Sequence, residues 1–127
     1  MTIATIREYD DPEKRVKLFS DRAEETFKAM SVGNLTFTQL RRFYNQILSY
    51  REQIDADKPY EELLPYIAMV KAKAEYTYQR NKINDGFKRF IQSNIDQLCD
   101  SRKVDDFFIF CSLFEAVVAY SKGNLKD

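Results

Sequence analysis

Arg41 and Arg42 stand side by side in the stretch LTFTQLRRFYNQI, and Lys73, Tyr76 and Arg80 follow at i, i+3 and i+7. On a helix the second spacing puts two cations and a ring on one face. Lys71, Lys82 and Lys88 add charge nearby, and only Glu75 opposes it between positions 71 and 82. Cations beside a stackable ring suit a single-stranded polynucleotide. The charges track phosphates, and the ring meets a base or supports an arginine plane. The arginine pair falls in the second turn of its predicted helix, near the positive end of the dipole, where a cation gains nothing from the helix. Spacing alone also allows the simpler reading, a solvated polar face.

Other chemistries find little support. There is no histidine, which removes the commonest general base and the commonest transition-metal ligand together. Cys99 and Cys111 have no short spacing and read as two free, half-buried thiols. A glycine-rich phosphate loop is absent. Asp105 and Asp106 are helix neighbours whose side chains diverge by about 100°, so they form no dyad. Asp55 and Asp57 would hold a hard cation only weakly, and a solvated turn explains them better. A metal-dependent hydrolase built on Asp55, Asp57 or Asp105 is therefore a distant third reading. The expectation is a non-enzyme with no cofactor, no metal and no small-molecule substrate.

The chain has 127 residues, one domain's worth, with ten Phe and eight Tyr but only three Gly and three Pro. So few turn-formers do not suit many short strands. Net charge is zero, yet it divides unevenly: −1 over residues 1–34, +3 over 35–89 and −2 over 90–127. The middle third is where an acidic partner would be met. The most apolar stretch, 107–120, contains Ser112 and Glu115 and is shorter than the ~20 residues of a membrane span. Arg7, Glu8, Asp10 and Asp11 argue against a signal peptide. A soluble cytoplasmic protein is expected, with no membrane partner.

Five helical patterns must position the basic residues. Residues 1–9 carry no periodicity and are expected to be a loose arm before a single helical domain, 10–127. The first helix starts with Asp10 or Asp11 as cap and Pro12 in its first turn; Val16, Phe19, Ala23, Phe27 and Met30 form its stripe, and Gly33-Asn34 stops it. The second, about 37–53, opens with a capping box of Thr36 and Gln39 and a staple of Leu35 and Leu40. Its inward stripe is Leu40, Phe43, Tyr44, Ile47 and Ile54. The third starts at Pro59; Pro65 either kinks it or ends a short piece before a second run to Arg80. Asn84 caps a fourth, with Phe87, Phe90, Ile91, Ile95 and Leu98 inward. The fifth, about 103–121, is apolar nearly all round and must be buried on most sides. The fold class expected is all-α: a small bundle of about five helices.

Three blocks in order, LTFTQLRRFYNQI, LLPYIAMVKAKAEYTYQR and FFIFCSLFEAVVAYSKG, resemble the small subunit of type III-A CRISPR effector complexes over about residues 35–123. The resemblance implies an all-helical, non-catalytic subunit of an antiviral ribonucleoprotein. Copies of it stack as a filament beside the backbone subunits that hold the guide RNA. It implies contact with target RNA through phosphates, without sequence reading, while RNA cleavage, DNA cleavage and second-messenger synthesis belong to other subunits, the large polymerase-like one included. By position, the family's basic motif residues fall on Arg41, Lys73 and Arg80, with Tyr76 between the last two. Arg42, Lys71, Lys82 and Lys88 join them by proximity and charge. Where the family has small residues before its arginine, this chain has Tyr78 and Gln79. On this reading Arg41 faces an RNA backbone, and Arg42 is solvated or meets a neighbouring subunit. A competing reading, a helical adaptor or dimerisation module that binds only protein, rests on the apolar last helix and the zero net charge.

Overall fold

The computed structural model describes residues 3–8 and 11–126, and among them it contains six α-helices and no strand. The all-α bundle is as expected, but the first predicted helix is two. Helix α1 (Pro12–Leu18) is capped by Asp11, whose carboxylate accepts from Lys14 N–H at 2.8 Å, and Pro12 occupies its first turn. Asp10, the other candidate cap, lies outside the described residues. At Ser20 the backbone leaves the helical region (φ −122°, ψ −94°), and α2 (Asp21–Met30) starts in a new direction. The break explains why Val16, placed in the apolar stripe, is 69% exposed while Leu18 is buried instead.

Residues 3–8, expected within a loose arm, are packed. Ile3, Ala4 and Ile6 are buried, and Ile6–Glu8 form one 3-10 turn. Two buried side chains from elsewhere take up the backbone polar groups. Thr26 Oγ1 accepts from Ala4 N–H at 2.8 Å, and Asn94 Oδ1 accepts from Ile6 N–H at 2.9 Å while its amide donates to Ala4 O at 3.2 Å. Residues 1, 2, 9 and 127 lie outside the described set.

Helix α3 (Phe37–Asp55) starts where its capping signal predicts, with one half of the capping box formed: Thr36 Oγ1 accepts from Gln39 N–H at 3.2 Å, and the stapling pair Leu35 and Leu40 are both buried. Its C-terminus closes through a left-handed Asp57 (φ 71°), with Lys58 N–H donating back to Gln53 O and Asp57 N–H to Ile54 O. Asp57 is thus a turn residue, and Asp55 sits 3.7 Å from Arg51 Nε. Helix α4 (Tyr60–Gln79) runs through Pro65 without ending, so the break considered there does not occur. The proline lies early enough to cost the helix one bond, and Glu61, whose carbonyl would have received it, is exposed to water. Helices α5 (Asp85–Ser101), capped by Asn84, and α6 (Val104–Ser121) follow.

Helices α4 and α5 form an antiparallel pair, and α6 lies against α2 and α3 with a further contact to α5. Six phenylalanines, Phe43, Phe87, Phe90, Phe107, Phe110 and Phe114, are fully buried. Phe114 meets Phe90 edge-on at 5.3 Å and Phe87 at 6.1 Å, and Phe87 meets Phe43 at 5.3 Å, so rings join α3, α5 and α6. The apolar circumference of α6 is therefore taken up inside this chain. No helix among the described residues is long and apolar enough to cross a membrane.

Candidate nucleic-acid interface

Helices α3 and α4 leave a groove of about 510 Å³ between them, lined by Gln39, Arg42 and Phe43 from one side and Lys73, Tyr76, Thr77, Arg80 and Lys82 from the other. Helix periodicity selects these residues. Gln39, Arg42, Phe43 and Gln46 share a face of α3; Lys73, Tyr76, Thr77 and Arg80 share a face of α4.

Lys82 lies beyond the end of α4 and reaches the groove through a Schellman turn. Asn81 takes the left-handed conformation (φ 60°), its N–H donates to Tyr78 O at 2.8 Å, and Lys82 N–H donates to Thr77 O at 3.1 Å. Asparagine tolerates that conformation, and Asn34 holds it by donating to Asn81 O at 2.6 Å. The chain thereby folds back and sets Lys82 beside Thr77.

Lys73 crosses the groove. Its Nζ donates to Gln46 Oε1 at 2.7 Å and lies 5.1 Å from the centre of the Phe43 ring. Partial burial first, and the Arg42 guanidinium second, hold its pKa below the ordinary lysine range. Burial disfavours the ammonium form, and the nearby like charge adds to that effect. Arg80 places its guanidinium 5.6 Å from the centre of the Tyr76 ring. Among the described residues, Arg42, Lys73, Arg80 and Lys82 have no carboxylate within 4.0 Å, and no Asp or Glu lines the groove. Several cations elsewhere are paired, such as Arg22 with Glu8 at 2.6 Å and Arg89 with Asp85 at 3.0 Å.

The structure divides the sequence-predicted set. Arg42, Lys73, Tyr76, Arg80 and Lys82 come together. Arg41 turns away, its guanidinium 5.7 Å from the Tyr44 ring on the far side of α3. Lys71 pairs with Asp96 at 2.5 Å across the α4–α5 seam. Lys88 lies 3.5 Å from Glu75 and 4.0 Å from the Tyr78 ring centre. Of the arginine pair, Arg42 faces the groove and Arg41 does not, because α4 packs on the side of α3 that carries Gln39 and Gln46. Tyr78 and Gln79, the departures before Arg80, are accommodated: Tyr78 packs against the core, and Gln79 donates to Glu75 at 2.7 Å. Gln39, Phe43, Gln46 and Thr77 were not anticipated, although the i, i+3, i+7 series from Gln39 through Arg42 to Gln46 carried the signal.

Both cysteines are free and neither lines the groove, and burial pushes the Cys111 thiol up to about 12. Among the described residues no group of three His, Cys, Asp or Glu is placed to hold a metal ion. The arrangement can neutralise a chain of negative charges and offer it a ring.

The model of the family described as Csm2 Type III-A matches residues 13–126, which include all of α2 to α6 and every residue of the groove. The chain belongs to the Csm2 Type III-A family. No curated protein and no solved structure matches it. As a Csm2-family member it is the small subunit of a type III-A CRISPR complex, and its partners are the other subunits of that complex. The Csm2 match begins at residue 13, within α1, so the likeness extends well before the three blocks in the sequence that first indicated it.

Proposed function

We propose that this small subunit contacts target RNA through the α3–α4 groove, by charge and without reading sequence, while copies of it pack as a filament beside the guide-RNA-binding subunits. The observation that carries the reading is that Arg42, Lys73, Arg80 and Lys82 line one groove without a carboxylate partner. Cations brought together unpaired repel one another, and a row of phosphates relieves that repulsion. Base pairing with a guide supplies sequence recognition elsewhere, so the groove needs only to follow a backbone. The subunit has no catalytic part in this scheme. The adaptor reading loses its main support, because the apolar faces of α6 are covered by α2, α3 and α5 of the same chain.

Binding of single-stranded RNA across a salt series tests the proposal. Log affinity should fall against log salt by roughly 0.7 per phosphate neutralised. Lys73→Ala combined with Arg80→Ala should flatten that slope with helical circular dichroism intact, whereas Lys71→Ala, whose ammonium is already paired, should leave it alone. An unchanged slope in the double variant would rule the groove out.

A further inference from the structure

Among the described residues five large hydrophobic side chains stand exposed, and three of them lie on one stripe of α4: Tyr66 at 57%, Met69 at 66% and Tyr76 at 63%. Exposed Glu62, Lys73 and Arg80 complete the stripe, so that Glu62, Tyr66, Met69, Lys73, Tyr76 and Arg80 follow at alternating four- and three-residue steps. That is the spacing of a coiled-coil seam. Leu63, Ile67, Val70 and Ala74 take the other side of the helix into the core. On the flank toward α5, Ala68 and Ala72 help to line a shallow hollow of about 390 Å³. The groove accounts for only the Lys73–Arg80 end of the stripe. Phosphate contact gives no reason for a phenol and a thioether to stand in water at positions 66 and 69.

We propose that the free subunit pairs with a second copy of itself through this stripe, the two α4 helices antiparallel, and that RNA and the second copy exclude each other. Charge complementarity selects both occupant and register. With the two-fold axis between Met69 and Lys73, Glu62 of each copy faces Arg80 of the other, Tyr66 faces Tyr76, and Met69 lies along the aliphatic stem of Lys73. Symmetry makes each contact twice. An axis at Lys73 would set that ammonium against itself, and a parallel, in-register pair would set Glu62, Lys73 and Arg80 each against its own kind. Among the described residues neither Glu62 nor Arg80 has an ion-pair partner. The hollow at Ala68 and Ala72 leaves room beside the stripe for an incoming ring. The seam is about 27 Å long and one helix wide. That is short of the roughly 800 Å² per partner of stable complexes, so the pair is weak and exchangeable. Such a contact closes on itself and admits no third copy, which makes the pair a form of the subunit outside the filament. The exclusion rests on the reading that the groove meets RNA, because Lys73, Tyr76 and Arg80 belong to both faces.

The test is sedimentation equilibrium of the full chain from about 1 μM to 1 mM, the range of weak association. A monomer–dimer equilibrium should appear and shift toward monomer as salt rises. Glu62→Arg and Arg80→Glu each bring like charges together at both ends of the seam, and each should weaken the pair about tenfold. An equal mixture of the two variants restores opposite charges at both ends and should pair as the wild type does. Tyr66→Ala should also weaken the pair. Because it removes the competitor, it should raise the apparent affinity for a short oligouridylate at protein concentrations where the wild type is paired. Saturating oligouridylate should convert the wild-type pair to monomeric complexes. A monomer throughout the range, or a dimer that none of the three substitutions alters, overturns the pair. Oligouridylate bound to an intact pair, with a salt slope that Lys73→Ala and Arg80→Ala together flatten, overturns the exclusion. A slope that no groove substitution alters removes the RNA reading and the exclusion with it, and the mixing result then decides the pair by itself.

Discussion

Lys73 Nζ and Gln46 Oε1 meet at 2.7 Å across the seam between α3 and α4. A neutral amide thus holds the ammonium in place without cancelling its charge. Gln46→Glu puts a carboxylate at the same reach and converts the contact into an ion pair. The salt slope for single-stranded RNA should then fall by about 0.7, one phosphate's worth, while Gln46→Ala should leave the slope near its original value. A titration of the Lys73 side chain by NMR should show its pKa rise in Gln46→Glu, because an opposite charge favours the ammonium form.

Asn94 is fully buried and ties residues 3–8 to α5 through Ile6 N–H and Ala4 O, besides donating to Phe90 O at 2.9 Å. Asn94→Ala leaves buried backbone groups unpaired, which costs about 1–3 kcal/mol for each such group. Urea unfolding should register a loss of that order, and hydrogen exchange should place the first loss of protection at Ile6.

Gly86 sits in the first turn of α5 where a Cβ would meet Ala29 O at 3.0 Å and Met30 Cα at 3.3 Å. Alanine is the better helix former by about 1 kcal/mol, so an isolated helix would gain from Gly86→Ala. Here the neighbour is backbone of α2, which cannot rotate aside. The variant should lose about 1–3 kcal/mol in urea unfolding, as overpacked sites do, and a gain in stability would show that α2 and α5 are further apart.

Burial by itself would lift the Glu8 carboxyl, but hydrogen bonds from Arg22 and from Thr5 N–H outweigh it and hold the pKa below its ordinary 4.5. The folded state therefore favours the carboxylate. Its contribution is present above pH 4.5 and is lost as pH falls from there through the lower folded value. Thermal unfolding of Glu8→Gln should start below that of the wild type at neutral pH, and the two curves should converge under acid conditions.

Much of the fold was legible because its signals are local. Thr36 and Asn84 each cap a helix through a hydroxyl or amide three residues from its partner, and the apolar stripes of α3 and α5 repeat within one element. The break at Ser20 was not legible, since three- and four-residue apolar steps continue through it and only tertiary packing decides that Leu18, not Val16, goes inside. The buried N-terminal segment was hidden for a different reason: its partners, Thr26 and Asn94, lie 22 and 88 positions away. Lys73, Tyr76 and Arg80 could be placed on one face by arithmetic. Choosing between Arg41 and Arg42 required knowing which flank of α3 its neighbour covers, and the pairing of Lys71 and Lys88 was hidden because Asp96 and Glu75 reach them across the α4–α5 seam.

Helix α6 supplies Phe107, Phe110, Phe114 and Val117 to the centre of the molecule, yet follows every helix it contacts in chain order. A ribosome therefore releases α2, α3 and α5 before the strip of rings that will cover their inner faces. Those faces stand in water during translation, a window in which nascent chains aggregate or recruit chaperones. Productive collapse of this subunit must wait until synthesis has passed residue 117, and a message truncated before that point yields a polypeptide prone to precipitate.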